Sequence, residues 1–327
     1  MNQFQIEENA KPYTHLNFKN DPDEFQFAII SDNAGGTRSG VLAKTVEMTN
    51  LLQPEFIVHV GDLIEGYSDD EDQIQAWWKE IDEILEPLKM PFFFLPGNHD
   101  LYSEPSTKAW RQRFGDERGY YHFVYKDALF LMINTEDPPK TLADLKHISP
   151  EGYDRMMLNF EALGKVKGDL TLEDIKKVDE LADWVGVINI SDAQVAYFKE
   201  VLEVNPDVRW TFCFMHAPPY FTLTSGEKDP GKFAKIETLL GNRPYTVFSA
   251  HTHIYDYEER NGHDFITTST SGGISIPRHG AIDHILWVTL DNEGPKIVNL
   301  LLNGIMDKKG PPKDDDLAAI GLYRPKV

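Results

Sequence analysis

The sequence predicts an α/β fold in which two packed mixed β-sheets are flanked by helices, an αββα sandwich with an inserted helical cap. Three observations carry this. Short apolar runs alternate with helix-length stretches, the rhythm of parallel strands joined by helical crossovers. Beyond His253 the alternation gives way to closely spaced short strands, which suggests a second, more antiparallel sheet packed on the first. Between them, residues 138 to about 188 are highly charged and helix-favouring, and interrupt the alternation as an inserted cap would.

Taken in order, FQFAII reads as a strand, SGVLAKTVEMTNLL as a helix and EFIVHV as a second strand. DEDQIQAWWKEIDEILEPL follows as a helix and PFFFLP as a third strand. YYHFVY and ALFLMINT stand close together around Lys126-Asp127, the arrangement of a hairpin. The rhythm resumes with SDAQVAYFKEVL (helix), RWTFCFM (strand), GKFAKIETLL (helix) and YTVFSA (strand). IYDYEE, DFITTST, HILWVTL and KIVNLLL complete the strands. These elements place one domain at 25–306, after an N-terminal extension at 1–24 and before a solvated tail at 307–327.

The 327 residues include 41% hydrophobic and 12% aromatic side chains, enough to bury a substantial core. Against 32 Lys and Arg stand 53 Asp and Glu, a formal charge of −21. That balance repels nucleic acid and anionic membrane surfaces, and leaves a small anion bound through a metal as the compatible partner. The single cysteine, Cys213, excludes an intramolecular disulfide and any cysteine-based zinc site. No apolar run is long enough to span a bilayer. The segment MNQFQIEENAKPYTH lacks the basic stretch and apolar run of a secretory leader. The expectation is a soluble cytoplasmic protein, with secretion the alternative if a leader has been removed.

Five strands end in groups able to hold a metal. These ends are Asp32, Gly61-Asp62, Gly97-Asn98-His99-Asp100, His216 and His251-Thr252-His253. In an open α/β sheet, ligands collect outside the carboxyl ends of the strands, so all five ends converge at one edge. Singly, each has a plain structural reading: Asp32 suits an Asx-turn, Asp62 a helix cap, Asn98 a left-handed turn position and His216 an ordinary loop. Together they are a signal. Gly35-Gly36 gives the backbone room near an anion, yet the surrounding residues match neither a Walker loop nor a dinucleotide fingerprint.

In this order the stretches SDNA, GDLIEG, GNHD, MHAPPY and AHTHIY resemble the calcineurin-like metallophosphoesterase superfamily. The resemblance spans about residues 25–300, apart from the cap. It implies two divalent ions, the first on Asp32, Asp62 and His253, the second on Asp62, Asn98, His216 and His251, with Asp62 bridging. Carboxylate, carboxamide and imidazole suit Mn, Fe or Zn. Two such ions about 4 Å apart would supply hydroxide for in-line attack on phosphorus. The resemblance also implies that His99 stabilises or protonates the leaving oxygen, with Glu65 as its acidic partner; the plain reading of Glu65 is the start of a solvated loop. Two departures stand out. Ala250 replaces a glycine, a small backbone change, and Ala34 replaces a metal-binding histidine. The first ion is then expected to be weaker, with water or Asn33 filling the gap.

The expected activity is metal-dependent hydrolysis of a small phosphate monoester or diester. Gly66 follows Glu65 where serine/threonine protein phosphatases carry arginine, which argues against that branch. Asn33, Tyr220 and Arg278 are candidate substrate contacts. The alternative is a catalytically weakened member that binds a phosphorylated ligand or a protein partner, a reading that rests on Ala34.

Overall fold

A computed structural model describes residues 14–15, 19–115, 118–139, 189–218, 233–275 and 279–309, together with residues 144, 146, 147, 150 and 154. Most of the expected cap, Tyr220 and Arg278 lie outside the described residues.

The first half alternates as its apolar runs require: β1 (Phe25–Ile30), α1 (Val41–Leu52), β2 (Phe56–Val60), α2 (Glu71–Leu85) and β3 (Phe92–Leu95). Two short helices follow, α3 (Asn98–Leu101) and α4 (Glu104–Phe114), then the hairpin β4 (Tyr121–Tyr125) and β5 (Ala128–Ile133). Its two turn residues, Lys126 and Asp127, have φ of 43° and 58°, the pairing that matches the right-handed twist of the flanking strands. Next come α5 (Asp192–Val204), β6 (Trp210–Met215), α6 (Phe233–Leu240) and β7 (Tyr245–Ser249). The chain then forms β8 (Asp256–Arg260), β9 (His263–Thr267), β10 (His284–Asp291) and β11 (Gly294–Leu301).

Two mixed sheets result, with orders β11-β10-β1-β2-β3 and β4-β5-β6-β7-β9-β8. The late strands do not form a sheet of their own, as their spacing suggests. Instead β10 pairs antiparallel with β1, setting Phe25 opposite Leu290, while β9 pairs parallel with β7. The reason is the central strand: β1 has β2 on one side, and its other edge would be left with unpaired N–H and C=O groups.

The central strands β1, β2, β5, β6 and β7 are covered on both faces and are apolar on both sides, while the edge strands β8 and β11 are largely exposed. In β5, Ala128, Phe130 and Met132 face the layer between the sheets, where Phe27, Phe56, Phe212, Phe214 and Phe248 also lie. Its other face sends Leu129, Leu131 and Ile133 under α5 and α6, against Phe198, Val201 and Ile236. The first sheet buries Ala28, Ile30 and Ile57 against Ile74 and Trp78 of α2 and Trp110 of α4. Cys213 is fully buried and its thiol is pushed up by burial, which leaves it inert. Among the described residues no helix is long and apolar enough to cross a membrane.

Candidate metal centre

The carboxyl ends of β1, β2, β3, β6 and β7 meet at one edge of the sandwich, as the sheet rule requires. Strands β1, β2 and β7 stop by an abrupt change of backbone. Among the described residues eight non-glycine residues have positive φ, and four of them are Asp32, Asp62, His251 and His253. Such conformations cost of order 1 kcal/mol or more each and persist only where surrounding contacts enforce them. Those contacts are visible. Asp32 N–H donates to the Gly61 carbonyl at 3.1 Å, and Asn33 and Ala34 N–H donate to the Asp62 carbonyl at 2.9 and 3.0 Å. His251 N–H donates to Asp32 Oδ1 at 3.2 Å.

Asp100 holds the second motif together. One carboxylate oxygen accepts N–H from Asp62 and Gly97, each at 2.9 Å, and the other accepts from Leu63 at 3.1 Å and Ile64 at 3.2 Å. Burial, with the Asp62 charge beside it, pushes the Asp100 carboxyl up to about 7. Gly97 is needed because a Cβ there would lie 2.2 Å from Asp62 Oδ1. The sequence shows Asp100 only as the last letter of GNHD; nothing in the spacing says that its partners are four main-chain groups.

Asp62, Asn98, His216 and His251 come together. Asp62 Oδ2 is 3.0 Å from His216 Nε2, which is also 3.1 Å from Asn98 Oδ1 and 3.2 Å from His251 Nδ1. Donor atoms of Asp62, His216 and His251 all lie within 4.8 Å of one another. Ligand bonds of about 2.1 Å would set cis neighbours about 3.0 Å apart, so this donor set has the spacing and chemistry for one divalent ion. Asp32 and His253 form a second, smaller group, with His253 Nε2 3.4 Å from Asp32 Oδ1.

Three of the histidines are oriented from behind by main-chain carbonyls. His216 Nδ1 is 2.8 Å from the Val60 carbonyl, His253 Nδ1 2.7 Å from that of Ile274, and His99 Nδ1 2.7 Å from that of Glu65. A proton on Nδ1 in each case leaves Nε2 to face the site, the usual way a protein sets the tautomer of a ligating imidazole. Asp62 and His216 favour each other's charged forms. Burial works against charge on His216, but the adjacent Asp62 carboxylate overcomes it and pushes the imidazole up to about 10. Burial likewise opposes ionisation of Asp62, yet His216 and His99 hold its carboxyl well below the usual range. His253 is raised by Asp32 against the same desolvation.

Two expectations are refined. Asn33 does not fill the place left by Ala34. Its Nδ2 donates to the Leu63 carbonyl at 2.9 Å, and its Oδ1 lies against Gly272, where a Cβ would come within 2.4 Å. That carboxamide ties the Asp32 loop to the segments at Leu63 and Gly272. Glu65 meets His99 twice, through its carbonyl at 2.7 Å and its carboxylate at 3.7 Å from Nδ1, and that carboxylate also accepts N–H groups of the 35–37 loop. Ala34 is fully buried, as expected for a methyl group in this position, and Ala250 fits in the core between the sheets. Tyr67 was not legible from motif spacing, yet its hydroxyl accepts Asn98 Nδ2–H at 2.9 Å and its ring stands edge-on to His99 at 4.4 Å.

A family model described as calcineurin-like phosphoesterase matches residues 25–255. Comparison with curated proteins finds no match. Among solved structures, a dimetal phosphatase from Danio rerio is similar at 14% identity, covering 85% of this chain and 99% of its own, with a TM-score of 0.54. GAP50, the anchor in the inner membrane complex of Plasmodium, is 15% identical over 93% of this chain and 98% of its own, with a TM-score of 0.51. The purple acid phosphatase PPD1 from yellow lupin is 12% identical over 86% of this chain and 52% of its own, with a TM-score of 0.52. At these identities the likeness is one of fold.

Proposed function

The chain belongs to the calcineurin-like phosphoesterase family, and from that membership we propose that it hydrolyses a small phosphate monoester or diester with divalent ions held on the cluster described above. Membership supports a metal-dependent phosphoesterase in general terms. The observation that carries the finer reading is the set of four donors on Asp62, Asn98, His216 and His251, with His99 beside it. Mn, Fe or Zn would suit this donor set. Such ions supply charge neutralisation for the phosphate and activation of water as the nucleophile.

The chain's own groups do the rest. Asp62 Oδ1 accepts the His99 main-chain N–H at 2.9 Å, which fixes the start of α3, where that histidine sits, relative to the donors. His99, its Nδ1 held by the Glu65 carbonyl, would turn Nε2 toward the leaving oxygen as general acid. Its imidazole is buried, and Tyr67 limits its rotation from one side.

Turnover of p-nitrophenyl phosphate and bis-p-nitrophenyl phosphate in Mn²⁺ tests the proposal. One of the two esters is expected to be hydrolysed, with kcat reduced roughly 10²–10⁴-fold in His99→Ala while metal content is unchanged. Hydrolysis that His99→Ala leaves intact would remove the general acid. A protein that holds its ions and turns over neither ester would favour the ligand-binding reading, which the missing donor at Ala34 supports.

A further inference from the structure

We infer that Glu65 is a positioning residue for the Asp32 half of the metal centre, taking over through hydrogen bonds the hold on the 32–37 loop that a ligand at position 34 would otherwise provide. This rests on the proposed metal-dependent reading and adds a role within it. The loop carries Asp32 and then Ala34, which has no donor to offer. It lies against the site's histidines: a Cβ on Gly35 would be 3.0 Å from His253 Cε1 and 3.5 Å from His99 Nε2. Whatever places this loop therefore places Asp32 relative to His253.

The Glu65 carboxylate is that anchor. It accepts three successive main-chain N–H groups, from Gly35 at 3.3 Å, Gly36 at 3.0 Å and Thr37 at 2.7 Å. It also accepts the Thr37 hydroxyl at 2.7 Å. Positive φ at Gly35 (73°) and Gly36 (84°) turns these N–H groups inward to form a cradle for an anion. Bonds to an ionised acceptor are the stronger kind. A second support comes from the opposite side, where Gly273 N–H donates to the Asp32 carbonyl at 2.6 Å and Ile274 N–H to that of Gly35 at 3.0 Å. The loop is thus clamped between Glu65 and residues 273–274 without using any side chain at position 34.

Two departures from the expected pattern become one. Ala34 removes a metal–side-chain bond from the loop, and the Glu65 carboxylate, 3.7 Å from His99 Nδ1 where the Glu65 carbonyl is at 2.7 Å, makes its hydrogen bonds to that loop. Glu65 acts here through Asp32, not on the substrate.

The test is a titration of the metal-free protein with Mn²⁺, resolving a tighter and a weaker ion by calorimetry. Glu65→Ala is expected to weaken the weaker ion about 10–100-fold, the usual cost of losing a partner behind a ligand, and to leave the tighter ion within about twofold. Thr37→Ala removes one of the four bonds and is expected to give a smaller loss at the same ion. Glu65→Gln keeps an acceptor oxygen and is expected to restore part of the affinity. The idea is overturned if both ions are unaffected while the pH profile of kcat shifts, which would make Glu65 the partner of His99 alone. Equal weakening of both ions would overturn it too. A wild-type chain that binds no metal defeats the proposed function itself, a different result from either.

Discussion

Asp62, Asn98 and His251 each bring a donor atom within 3.2 Å of His216 Nε2, whereas Asp32 and His253 stand as a pair, with a buried methyl at Ala34. The crowded half is assembled from side chains whose direction is set by rigid neighbours: His216 by the Val60 carbonyl, Asn98 by Tyr67, the Asp62 backbone by Asp100. The sparse half depends on a loop held by Glu65 and on the segment around Ile274. The contrast teaches that ligand count and ligand rigidity fall together here, so the two ions should differ in affinity by more than one missing donor would suggest.

The largest expected effect comes from removing the carboxylate of the crowded half. Asp62→Asn should weaken the tighter ion by more than about 100-fold, beyond the cost of losing an outer partner, and abolish turnover, as read by metal titration and an ester assay. Retention of both ions would break the comparison at its centre.

The next effect is a pH dependence with a definite sign. In the metal-free protein His216 is pushed up to about 10 and holds a proton throughout the neutral range. An ion must displace that proton, so affinity at the crowded half rises with pH by about tenfold per unit, or about 100-fold from pH 6 to 8. Stability of the metal-free chain runs the other way. His216 has a raised folded pKa, so its contribution is full below pH 6.5 and lost as pH rises through about 10. Calorimetry in buffers of different ionisation enthalpy, with thermal melts in chelator, reads both. An affinity flat in pH would mean that His216 is not displaced.

The smallest effect comes from trying to equalise the halves. Ala34→His should narrow the affinity gap, by about tenfold at the weaker ion if the ring takes up the ligand position. Because position 34 is fully buried, the extra volume should also cost about 1–3 kcal/mol in the metal-free protein. Thermal melts with and without Mn²⁺ separate the two. An unchanged weaker ion, in a variant that still folds, would show that the sparse half is limited by its loop rather than by its missing donor.

Much of this was legible in the chain before any coordinates. The strand ends could be read because an apolar run that halts at Asp, Asn or His is a local pattern, and Asp32, Asp62, Asn98, His216, His251 and His253 are local in that sense. The crossovers and the Lys126-Asp127 hairpin were readable for the same reason. What was not legible depends on partners distant in sequence. That β10 closes the open edge of β1 follows from pairing Phe25 with Leu290, for which no short stretch carries a code. Asp100 binds main-chain N–H groups, which every residue but proline has, so its partners leave no trace in the letters. Glu65 sits at a spacing that fits a histidine partner, and only the position of the Gly35–Thr37 backbone shows where its carboxylate goes. The partners of Asn33 were hidden for a related reason: a polar letter at a ligand position says nothing about which way its amide turns.

The donors come from both sheets. Asp32, Asp62 and Asn98 follow strands of one, and His216, His251 and His253 follow strands of the other. An ion shared between them is a rivet driven through the seam of the sandwich, tying segments of the chain remote from one another in sequence. A chelator would then act on this fold much as a reductant acts on a cross-linked one, loosening a joint as well as emptying a site. No fragment confined to one side of residues 138–188 could keep the joint, since each side holds only part of the rivet's seat.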